Sequence, residues 1–289
     1  MSSGTVELSA TLLCVRKGMP CLYLDDVQEG KLPCGPLTDV DPTLELGVRR
    51  LLEELVDQDV GYIEQLYTFG DLVRSRLAPL GHRTLSIAYL GLLEQIPTAH
   101  AISIYHLFPW EDRRKSWSVA VEEKVAGLRD WAQGHSERQW RCRVLFGLDG
   151  TPWNPERVLE RYELLYEAEL VEEAGQGENI GRALWADHRR IAATALTRVR
   201  GKLAYRPLVF ELLPQSFTLT ELQKTVEALS GGLLHKQNFR RMVESAGLVE
   251  PTDETRSEGR GRPARLYRFR SEVTAERPAP GVRARPRKH

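Results

Sequence analysis

Two helical patterns followed by two strand patterns lie between residues 208 and 270, and this order constrains the fold more than any other feature. The first helix is predicted to begin after Thr218, because Thr218 as N-cap and Glu221 three residues later have the spacing of a capping box. Phe217 and Leu222 flank this pair at the positions of a hydrophobic staple. A Ser-Gly-Gly sequence then ends the helix.

A second helix is predicted from Leu234 to Ser245, with Phe239 and Val243 on its apolar face. Polar and basic residues cluster in its N-terminal half, the part that enters the major groove in a helix-turn-helix domain. Gln, Asn and Arg can pair bidentately with base edges there. A basic solvated face on a structural helix pair explains the composition equally well. The candidate DNA contacts are Thr218 and Thr220 of the first helix and His235, Lys236, Gln237, Asn238, Arg240 and Arg241 of the second.

The strand patterns after the second helix favour DNA binding. Residues 248–250 are predicted as a short strand, and residues 265–269 alternate as a second strand with Tyr267 and Phe269 on one face. The loop between them contains Gly-Arg-Gly-Arg-Pro, which combines flexible backbone with cations suited to phosphates or the minor groove. Helix, helix, strand, loop, strand is the order of a winged helix-turn-helix. Its wing adds Arg260, Arg262 and Arg265 as candidate DNA contacts.

The charge of the chain is divided between its two parts. The formal net charge is zero, but residues 206–289 carry 16 Lys and Arg against 10 Asp and Glu, a net of +6. Residues 1–205 therefore carry a net of −6, and this asymmetry favours a polyanionic partner for the C-terminal part. A solvated basic tail without a partner is the alternative. Residues 272–289 are predicted to be a disordered basic tail that adds nonspecific DNA affinity at low salt.

The remaining totals are typical of a soluble chain with two domains. The length of 289 residues suits two folded cores, and the chain is 42% hydrophobic and 28% charged. No apolar run has the length of a membrane span, and the N-terminal residues lack the organisation of a signal peptide. Cys14, Cys21, Cys34 and Cys142 show neither CxxC pairing nor metal-ligand spacing. We therefore predict reduced cysteines, no metal site and a cytoplasmic protein.

The N-terminal part opens with strand patterns at residues 6–13 and 21–24, followed by a helical pattern. Asp41 is predicted as the N-cap of this helix and Pro42 as its first residue. The helix has one apolar stripe, formed by Leu44, Val48, Leu51, Leu52 and Leu55. On its other side, Arg49 with Glu53 and Arg50 with Glu54 have the spacing of intrahelical pairs, and an ordinary charged face is the favoured interpretation of that spacing.

This segment resembles a degenerate Nudix box. Gly35 is followed by an acidic residue and then by Arg-x-aliphatic-x-Glu-Glu at the family's spacing. In active Nudix enzymes this loop and helix hold divalent metal on Glu side chains and cleave a diphosphate. The chain has Asp41 where the family has Glu, Arg50 where it has the Glu after Arg, and Val56 where it has Gly. Because a cation cannot coordinate Mg²⁺, the resemblance implies no catalytic residues and no efficient hydrolysis; the adjacent Glu53 and Glu54 leave room for weak Mg²⁺ binding.

The resemblance extends over most of the chain. The joint pattern resembles the Nudix-related transcriptional regulators of NAD metabolism. Phe108–Asp112 and Arg161–Tyr166 are more similar to the longer alphaproteobacterial branch, called NadQ, than to the shorter NrtR type. The other matching segments are residues 62–71, 83–92, 187–203, 210–223, 238–241 and 262–267.

The resemblance implies an α+β chain with a Nudix-like α/β/α sandwich at residues 1–204 and a winged helix-turn-helix at residues 205–271. It also implies a homodimer that represses genes of NAD synthesis or salvage from a palindromic operator. No cofactor is required. The effector is an adenine nucleotide, with ADP-ribose usual for the NrtR type and ATP equally open for the NadQ-like branch. The candidate ligand-binding residues are Arg49, Arg50, Glu53, Glu54 and Arg83, whose arginines can hold a diphosphate or, as the alternative, pair within the protein.

Two other functions compete with this one. The first is an active Nudix hydrolase of ADP-ribose-type substrates with a DNA-binding appendage, and the second is a nucleotide-binding protein that does not touch DNA. Tyr67 and Phe69 are interpreted either as an adenine stack or as core. Asp187 and His188 are interpreted as a structural junction. A helix predicted at residues 158–171 has an apolar stripe wide enough for a dimer surface or for packing within its own domain.

Overall fold

A mixed sheet of six strands forms the centre of the N-terminal part. The strands are β1 (Thr5–Arg16), β2 (Met19–Tyr23), β3 (Cys34–Pro36), β4 (Tyr62–Phe69), β5 (Thr84–Leu92) and β6 (Ala101–Ser103). The computed structural model describes residues 5–56, 58–70, 84–174, 180–257, 263–276 and 281–282. The order of the strands in the sheet is β4-β5-β1-β2-β6, with β3 paired to β1. β1 is parallel to β5 and antiparallel to β2 and β3, and the two strands predicted at the N-terminus are confirmed as β1 and β2.

Helices cover both faces of this sheet, which explains why the middle of β1 is buried on both sides, including Ser9 and Thr11. On one face, Leu8 and Leu12 pack in a cluster with Val48 of helix α1 (Leu44–Glu53). On the other face, Leu13 belongs to a larger cluster that continues into the C-terminal part of the chain. The predicted α/β/α sandwich is therefore confirmed, with α1 on one side of the sheet and the later helices on the other.

The residues between the sheet and the C-terminal domain are helical. They form α2 (Ile104–Leu107), α3 (Val119–Trp131), α4 (Ser136–Phe146), α5 (Val158–Glu167) and α6 (His188–Leu203). The predicted apolar stripe on α5 packs within its own domain, because Tyr162 and Leu165 are buried in the larger cluster. Of the two interpretations of this helix, packing inside the chain is confirmed.

The C-terminal domain has the predicted order of a winged helix. A short 3₁₀ turn (Leu208–Leu212) leads to α7 (Leu219–Ser230), α8 (Lys236–Ser245), β7 (Val249–Arg256) and β8 (Ala264–Phe269). Thr218 and Glu221 form the predicted capping box, and Gly231 ends α7 in the left-handed conformation with φ +73°. The first wing strand is longer than predicted, because Thr255 and Arg256 still pair with β8.

The C-terminal segment differs from the predicted free tail at the positions that the structure describes. Val273 begins a short helix, α9 (Val273–Glu276), and is buried. Val282 is also buried, and its backbone N–H donates to the Leu203 carbonyl at 2.6 Å, so this point of the segment is attached to the end of α6. Residues 277–280 and 283–289 lie outside the described residues. Among the described helices, none is long and apolar enough to cross a membrane.

Candidate functional site

The polar cluster of α8 lies on a solvent-exposed face. Phe239 and Val243 anchor the opposite side of the helix in the core, which turns the cluster outward. Asn238 Oδ1 accepts a hydrogen bond from Arg241 Nη2 at 2.9 Å, so two of its members are oriented by each other. The structure therefore brings six of the predicted DNA contacts to one surface. The exposed members are His235, Lys236, Gln237, Asn238, Arg240 and Arg241.

A groove of about 310 Å³ lies between the start of α7, α8 and β8. Thr220, Arg240 and Arg265 line it, and Arg265 is exposed, with its Nε donating to the Thr252 carbonyl at 3.4 Å. A helix N-terminus with nearby guanidinium groups is suited to a phosphate. Thr218 also lines the groove, but it is only 4% exposed and its hydroxyl accepts a hydrogen bond from the Glu221 backbone, so its structural role is that of a cap.

One ion pair links the wing to α7, and a second lies within the wing hairpin. Arg256 Nη1 donates to Glu221 Oε1 at 2.8 Å, which links the end of β7 to the capping box. Arg268 pairs with Glu250 across the hairpin. Arg260 and Arg262 lie outside the described residues, and their contact with DNA stays a prediction.

The start of α1 differs from the prediction. The N-cap is Thr43, whose hydroxyl accepts a hydrogen bond from the Leu46 backbone at 3.2 Å, and the helix begins at Leu44. The prediction of Asp41 as the cap was wrong, and Pro42 lies before the helix. An Asp-Pro pair is a valid start signal, but a second cap residue two positions later forms the cap here, which leaves the Asp41 carboxylate available for another partner.

That partner is Arg50. Its Nε and Nη2 donate to the two carboxylate oxygens of Asp41 at 2.8 and 2.9 Å, a bidentate ion pair. Thr38 adds hydrogen bonds from its backbone and its hydroxyl. The Arg50 guanidinium, followed by Thr38, holds the pKa of the Asp41 carboxyl well below its usual range. Arg50 Nη1 also lies 3.8 Å from Glu54 Oε1, so the predicted pairing with Glu54 is confirmed as a secondary contact.

Arg49 has partners of its own. Its Nε and Nη2 donate to Glu45 Oε1 at 3.1 and 3.0 Å, one turn earlier in the helix, rather than to Glu53 as predicted. Its Nη1 donates to the Val60 carbonyl at 2.9 Å. A small depression of about 60 Å³ lies beside Arg49 and Glu53. The candidate arginines of α1 are thus engaged by the protein, while Glu53 and Glu54 are exposed.

Of the two aromatic candidates for the ligand site, Phe69 lies in the core and Tyr67 lies at the surface. Phe69 is buried, with the Arg190 guanidinium 5.3 Å from its ring centroid, so the core interpretation holds for Phe69. Tyr67 is 61% exposed and meets the Phe69 ring edge-on, with 5.3 Å between ring centroids. Arg83 lies outside the described residues. The structure therefore leaves Tyr67 as a ring that a planar base can reach.

A polar group on β4 connects the sheet to α6, and sequence reasoning missed it. Glu64 accepts hydrogen bonds from Arg198 at 2.5 Å and from the Tyr62 hydroxyl at 2.5 Å, and it lies 2.7 Å from Lys202 Nζ. Burial alone would raise the pKa of Glu64, but Lys202, Tyr62 and Arg198 outweigh it and lower that pKa. The linker helix α6 is thereby attached to the edge strand of the sheet.

His188 forms a second junction at the start of α6. It is 2% exposed, its Nδ1 accepts the Leu32 N–H at 2.9 Å, and burial lowers its pKa to about 3, so the ring is neutral with its proton on Nε2. Glu7 and Cys34 place their ligand atoms within 4.8 Å of the ring's. A histidine that binds a metal through one ring nitrogen carries its proton on the other and donates that N–H to an acceptor. In His188, by contrast, Nδ1 accepts a hydrogen bond and Nε2 carries the proton. The arrangement around His188 fits a buried junction and does not fit a metal site.

The largest feature missing from the sequence analysis is a buried ion triad. Glu111 is fully buried and accepts hydrogen bonds from Arg161 Nε at 2.5 Å, Arg161 Nη2 at 2.9 Å and Arg200 Nη1. Burial alone would raise the pKa of Glu111, but the charges of Arg161 and Arg200 outweigh it and lower that pKa. The three residues come from distant parts of the chain, so no spacing rule joins them.

The triad continues into the winged helix. Arg200 Nε donates to the Leu229 carbonyl at 2.8 Å, the Tyr105 hydroxyl donates to the Ala228 carbonyl at 2.6 Å, and the Arg113 backbone N–H donates to the Gly231 carbonyl at 2.7 Å. Carbonyl groups in the last turn of a helix lack intrahelical partners. Here the N-terminal part supplies those partners to α7, which fixes the orientation of the surface that carries the predicted DNA contacts.

Comparisons with known proteins agree with this architecture. Residues 209–269 match the family model of the NrtR DNA-binding winged helix domain. A curated relative, the ADPR responsive transcriptional repressor NtrR of Acinetobacter baylyi, is 43% identical over 83 residues, which are 29% of this chain and 33% of the relative. The match therefore spans one third of that relative's length.

Solved structures share the fold over nearly the whole chain. Shewanella oneidensis NrtR complexed with a 27mer DNA has a TM-score of 0.56 at 23% identity, covering 97% of this chain and 99% of that one. A MutT/nudix family protein from Enterococcus faecalis has a TM-score of 0.51 at 19% identity, covering 93% and 88%. At these identities the likeness shows the fold alone, and the predicted fold class, a Nudix-like sandwich followed by a winged helix, is confirmed.

Proposed function

We propose that this chain is a transcriptional repressor that binds operator DNA through its winged helix and responds to an adenine nucleotide bound by its Nudix-like domain. The observation that carries the proposal is the match of residues 209–269 to a DNA-binding winged helix domain whose second helix, with its N-cap, exposes six of the predicted DNA contacts here. ADP-ribose is the proposed effector, because the Acinetobacter relative is described as ADPR responsive. Regulation of NAD synthesis or salvage genes and action as a homodimer on a palindromic site belong to the same proposal.

The proposed contacts divide into base readout and phosphate binding. Gln237, Asn238 and Arg241 near the start of α8 face the major groove and read base edges. Arg265, Thr220 and Arg240 around the groove at the start of α7 hold backbone phosphates, which position the helix without reading sequence. Thr218 contributes as the cap of α7 rather than through an exposed side chain.

Arg240→Ala and Arg241→Ala are each expected to weaken binding to the protein's own upstream DNA by about 5- to 150-fold, since one good base or phosphate contact contributes about 1–3 kcal/mol. A gel shift at fixed moderate salt measures this. Arg129→Ala is the matched control, because Arg129 is an exposed arginine on α3 paired with Asp149, far from α8 in the chain. Equal shifts for wild type and all three variants contradict the assignment of α8 and favour a nucleotide-binding protein that does not touch DNA.

The Asp41–Arg50 pair supports a sensor rather than a hydrolase. In the Nudix pattern both positions carry Glu, and the position of Arg50 is that of a metal ligand; here Asp41 and Arg50 neutralise each other in a bidentate pair. A divalent cation would have to displace a guanidinium from Asp41 and then lie beside it. The residues present therefore do not fit Mg²⁺. Incubation with ADP-ribose and Mg²⁺ is expected to yield no AMP at ordinary enzyme rates, and turnover at such rates would support the hydrolase instead.

Arg50→Glu is expected to create divalent-cation binding that the wild type lacks. The substitution removes the cation and places a carboxylate near Asp41, Glu53 and Glu54, the oxygen ligands that Mg²⁺ and Mn²⁺ prefer. Calorimetric titration with Mn²⁺ measures the change. Arg50→Gln is the control, because it also breaks the ion pair but adds no charge. Mn²⁺ binding that is no stronger in Arg50→Glu than in the wild type or in Arg50→Gln contradicts the explanation.

The nucleotide itself is identified by titration. ADP-ribose, ATP and inorganic diphosphate are titrated into the wild type and into Arg49→Ala, Tyr67→Ala and Arg83→Ala. Binding of ADP-ribose that weakens in these variants supports the proposed site. Binding of ATP without binding of ADP-ribose would favour ATP as the effector. No binding of any of them contradicts the sensor half of the proposal.

A further inference from the structure

Two buried cysteines face each other across the β1–β2 hairpin. Cys14 and Cys21 are register partners, and they are 0% and 8% exposed. The connecting residues Lys17 and Gly18 both have positive φ, +48° and +73°, as in a two-residue type I′ turn. Counting back from such a turn, Cys14 and Cys21 occupy a hydrogen-bonded pair, whose Cα atoms are about 5.5 Å apart. That separation lies in the commonest range for disulfides.

The two buried thiols affect each other's pKa: the neighbouring Cys14 is the largest cause that lowers the pKa of Cys21, and Cys21 is the largest cause that raises the pKa of Cys14. The Cys21 thiol itself donates to the Met19 carbonyl, with 3.6 Å between Sγ and the oxygen. The Arg16 charge lowers the pKa of both thiols further. Since the thiolate is the reactive form of cysteine, the hairpin carries one activated sulfur with a second sulfur beside it. Cys34 and Cys142 show no such partner among the described residues.

We propose that Cys14 and Cys21 form a reversible intrachain disulfide when the protein meets a hydroperoxide. The Cys21 thiolate attacks the O–O bond of hydrogen peroxide, hydroxide leaves and is protonated to water, and Cys21 becomes a sulfenic acid. The Cys14 sulfur then attacks the Cys21 sulfur, the S–S bond forms, and the sulfenic hydroxyl leaves with the Cys14 proton as a second water. Two thiols are oxidised by two electrons while one peroxide is reduced, and a cellular dithiol reverses the step by exchange.

The hairpin lies where its geometry affects the winged helix. Its tip lines an open cleft of about 760 Å³ whose other wall is α7. Arg114 Nη1 donates to the Gly18 carbonyl at 2.5 Å, and the preceding residue, Arg113, donates its backbone N–H to the Gly231 carbonyl at the end of α7. A change in the pairing of β1 and β2 is therefore transmitted to α7 through the adjacent residues Arg114 and Arg113. Control of DNA binding by the disulfide rests on the proposed function, whereas formation of the disulfide does not.

Intact mass spectrometry tests the disulfide on the full chain carrying Cys34→Ser and Cys142→Ser. Hydrogen peroxide treatment followed by N-ethylmaleimide is expected to remove two hydrogen atoms and to abolish both maleimide adducts, and dithiothreitol restores them. Because trypsin cleaves after Arg16 and Lys17, the unreduced digest contains the Cys14 and Cys21 peptides joined. Cys14→Ser is expected to leave a sulfenic acid on Cys21 that dimedone labels. Full alkylation of both cysteines, or only irreversible oxygen addition, overturns the proposal.

A gel shift with the same protein tests the consequence. The reduced and oxidised forms are expected to differ in DNA affinity by about 5- to 150-fold, the usual range of coupling between sites, and a Cys14→Ser/Cys21→Ser protein should not respond to peroxide. A disulfide that forms without changing DNA affinity overturns only the proposed coupling to α7 and leaves the disulfide chemistry standing. A disulfide that forms in a protein with no DNA affinity in either state overturns the proposed function and leaves the thiol chemistry standing.

Discussion

Glu111→Ala is expected to destabilise the protein by about 3–5 kcal/mol, the usual cost of removing one partner from a buried ion pair. Arg161 and Arg200 have side chains that are 0% and 1% exposed, and Glu111 is the carboxylate that both of them contact. Without it, two guanidinium groups remain in the core with too little compensating charge. Backbone carbonyls still accept some of their hydrogen bonds, which limits the loss but does not neutralise the charges.

Urea unfolding followed by circular dichroism measures this loss. Asp149→Ala is the matched control, because it also removes the carboxylate of an arginine pair, but both side chains of that pair are 56% exposed and surface pairs contribute about 0–1 kcal/mol. Glu111→Gln keeps a hydrogen-bond acceptor and loses the charge. Its loss of unfolding free energy is expected to lie between those of Glu111→Ala and Asp149→Ala. Equal unfolding midpoints for Glu111→Ala and Asp149→Ala contradict a structural role for the triad.

The effect is expected to extend to DNA binding. Arg200 contacts both Glu111 and the Leu229 carbonyl, so loss of the carboxylate also loosens the attachment of α7. At temperatures where Glu111→Ala is still folded, its affinity for operator DNA should fall although no DNA-contacting residue is changed. Full DNA affinity in a destabilised variant would show that the winged helix is oriented independently of the triad.

The winged helix could be predicted because its signals are local. The capping box at Thr218 and Glu221, the staple and the Gly-Gly break all lie within one turn of the element they define. Hydrophobic periodicity similarly identified β1, β2 and α1, whose buried faces match their apolar residues. The longer β7 was missed because Thr255 and Arg256 are polar residues that pair along a solvated hairpin, where alternation gives no signal.

The candidate ligand site was predicted less well, because its charges found partners that spacing does not reveal. Arg50 binds Asp41 across the turn before α1, and Arg49 binds Glu45 and the Val60 carbonyl. Glu64, which links β4 to α6, lies 134 residues before its partner Arg198. Helical spacing rules describe neighbours three or four residues apart, so contacts between distant segments remain invisible to them until the fold brings the segments together.

His188 should make the protein lose stability as the pH falls below 6.5. Burial, followed by the Lys31 charge, lowers the pKa of His188 to about 3 in the folded state, whereas the ordinary value in an unfolded chain is 6.5. The unfolded state therefore takes up a proton that the folded state excludes. The stabilisation is complete above pH 6.5 and is lost as the pH falls towards 3, by about 2 kcal/mol at pH 5 and at a limiting slope of about 1.4 kcal/mol per pH unit.

Between pH 6.5 and 5, comparison with a His188 variant separates this histidine from the acids, including Glu7, whose pKa is raised by burial and which is present in both proteins. The pKa values of Asp41, Glu64 and Glu111 are lowered in the fold, so those carboxylates reduce stability mainly at lower pH, below their ordinary values near 4. His188→Asn keeps an acceptor for the Leu32 N–H but cannot take up a proton. Urea unfolding of both proteins at several pH values should give a steeper decline for wild type than for His188→Asn. Parallel declines would show that His188 is protonated in the folded protein, and the buried junction would then have to hold a charge beside Lys31.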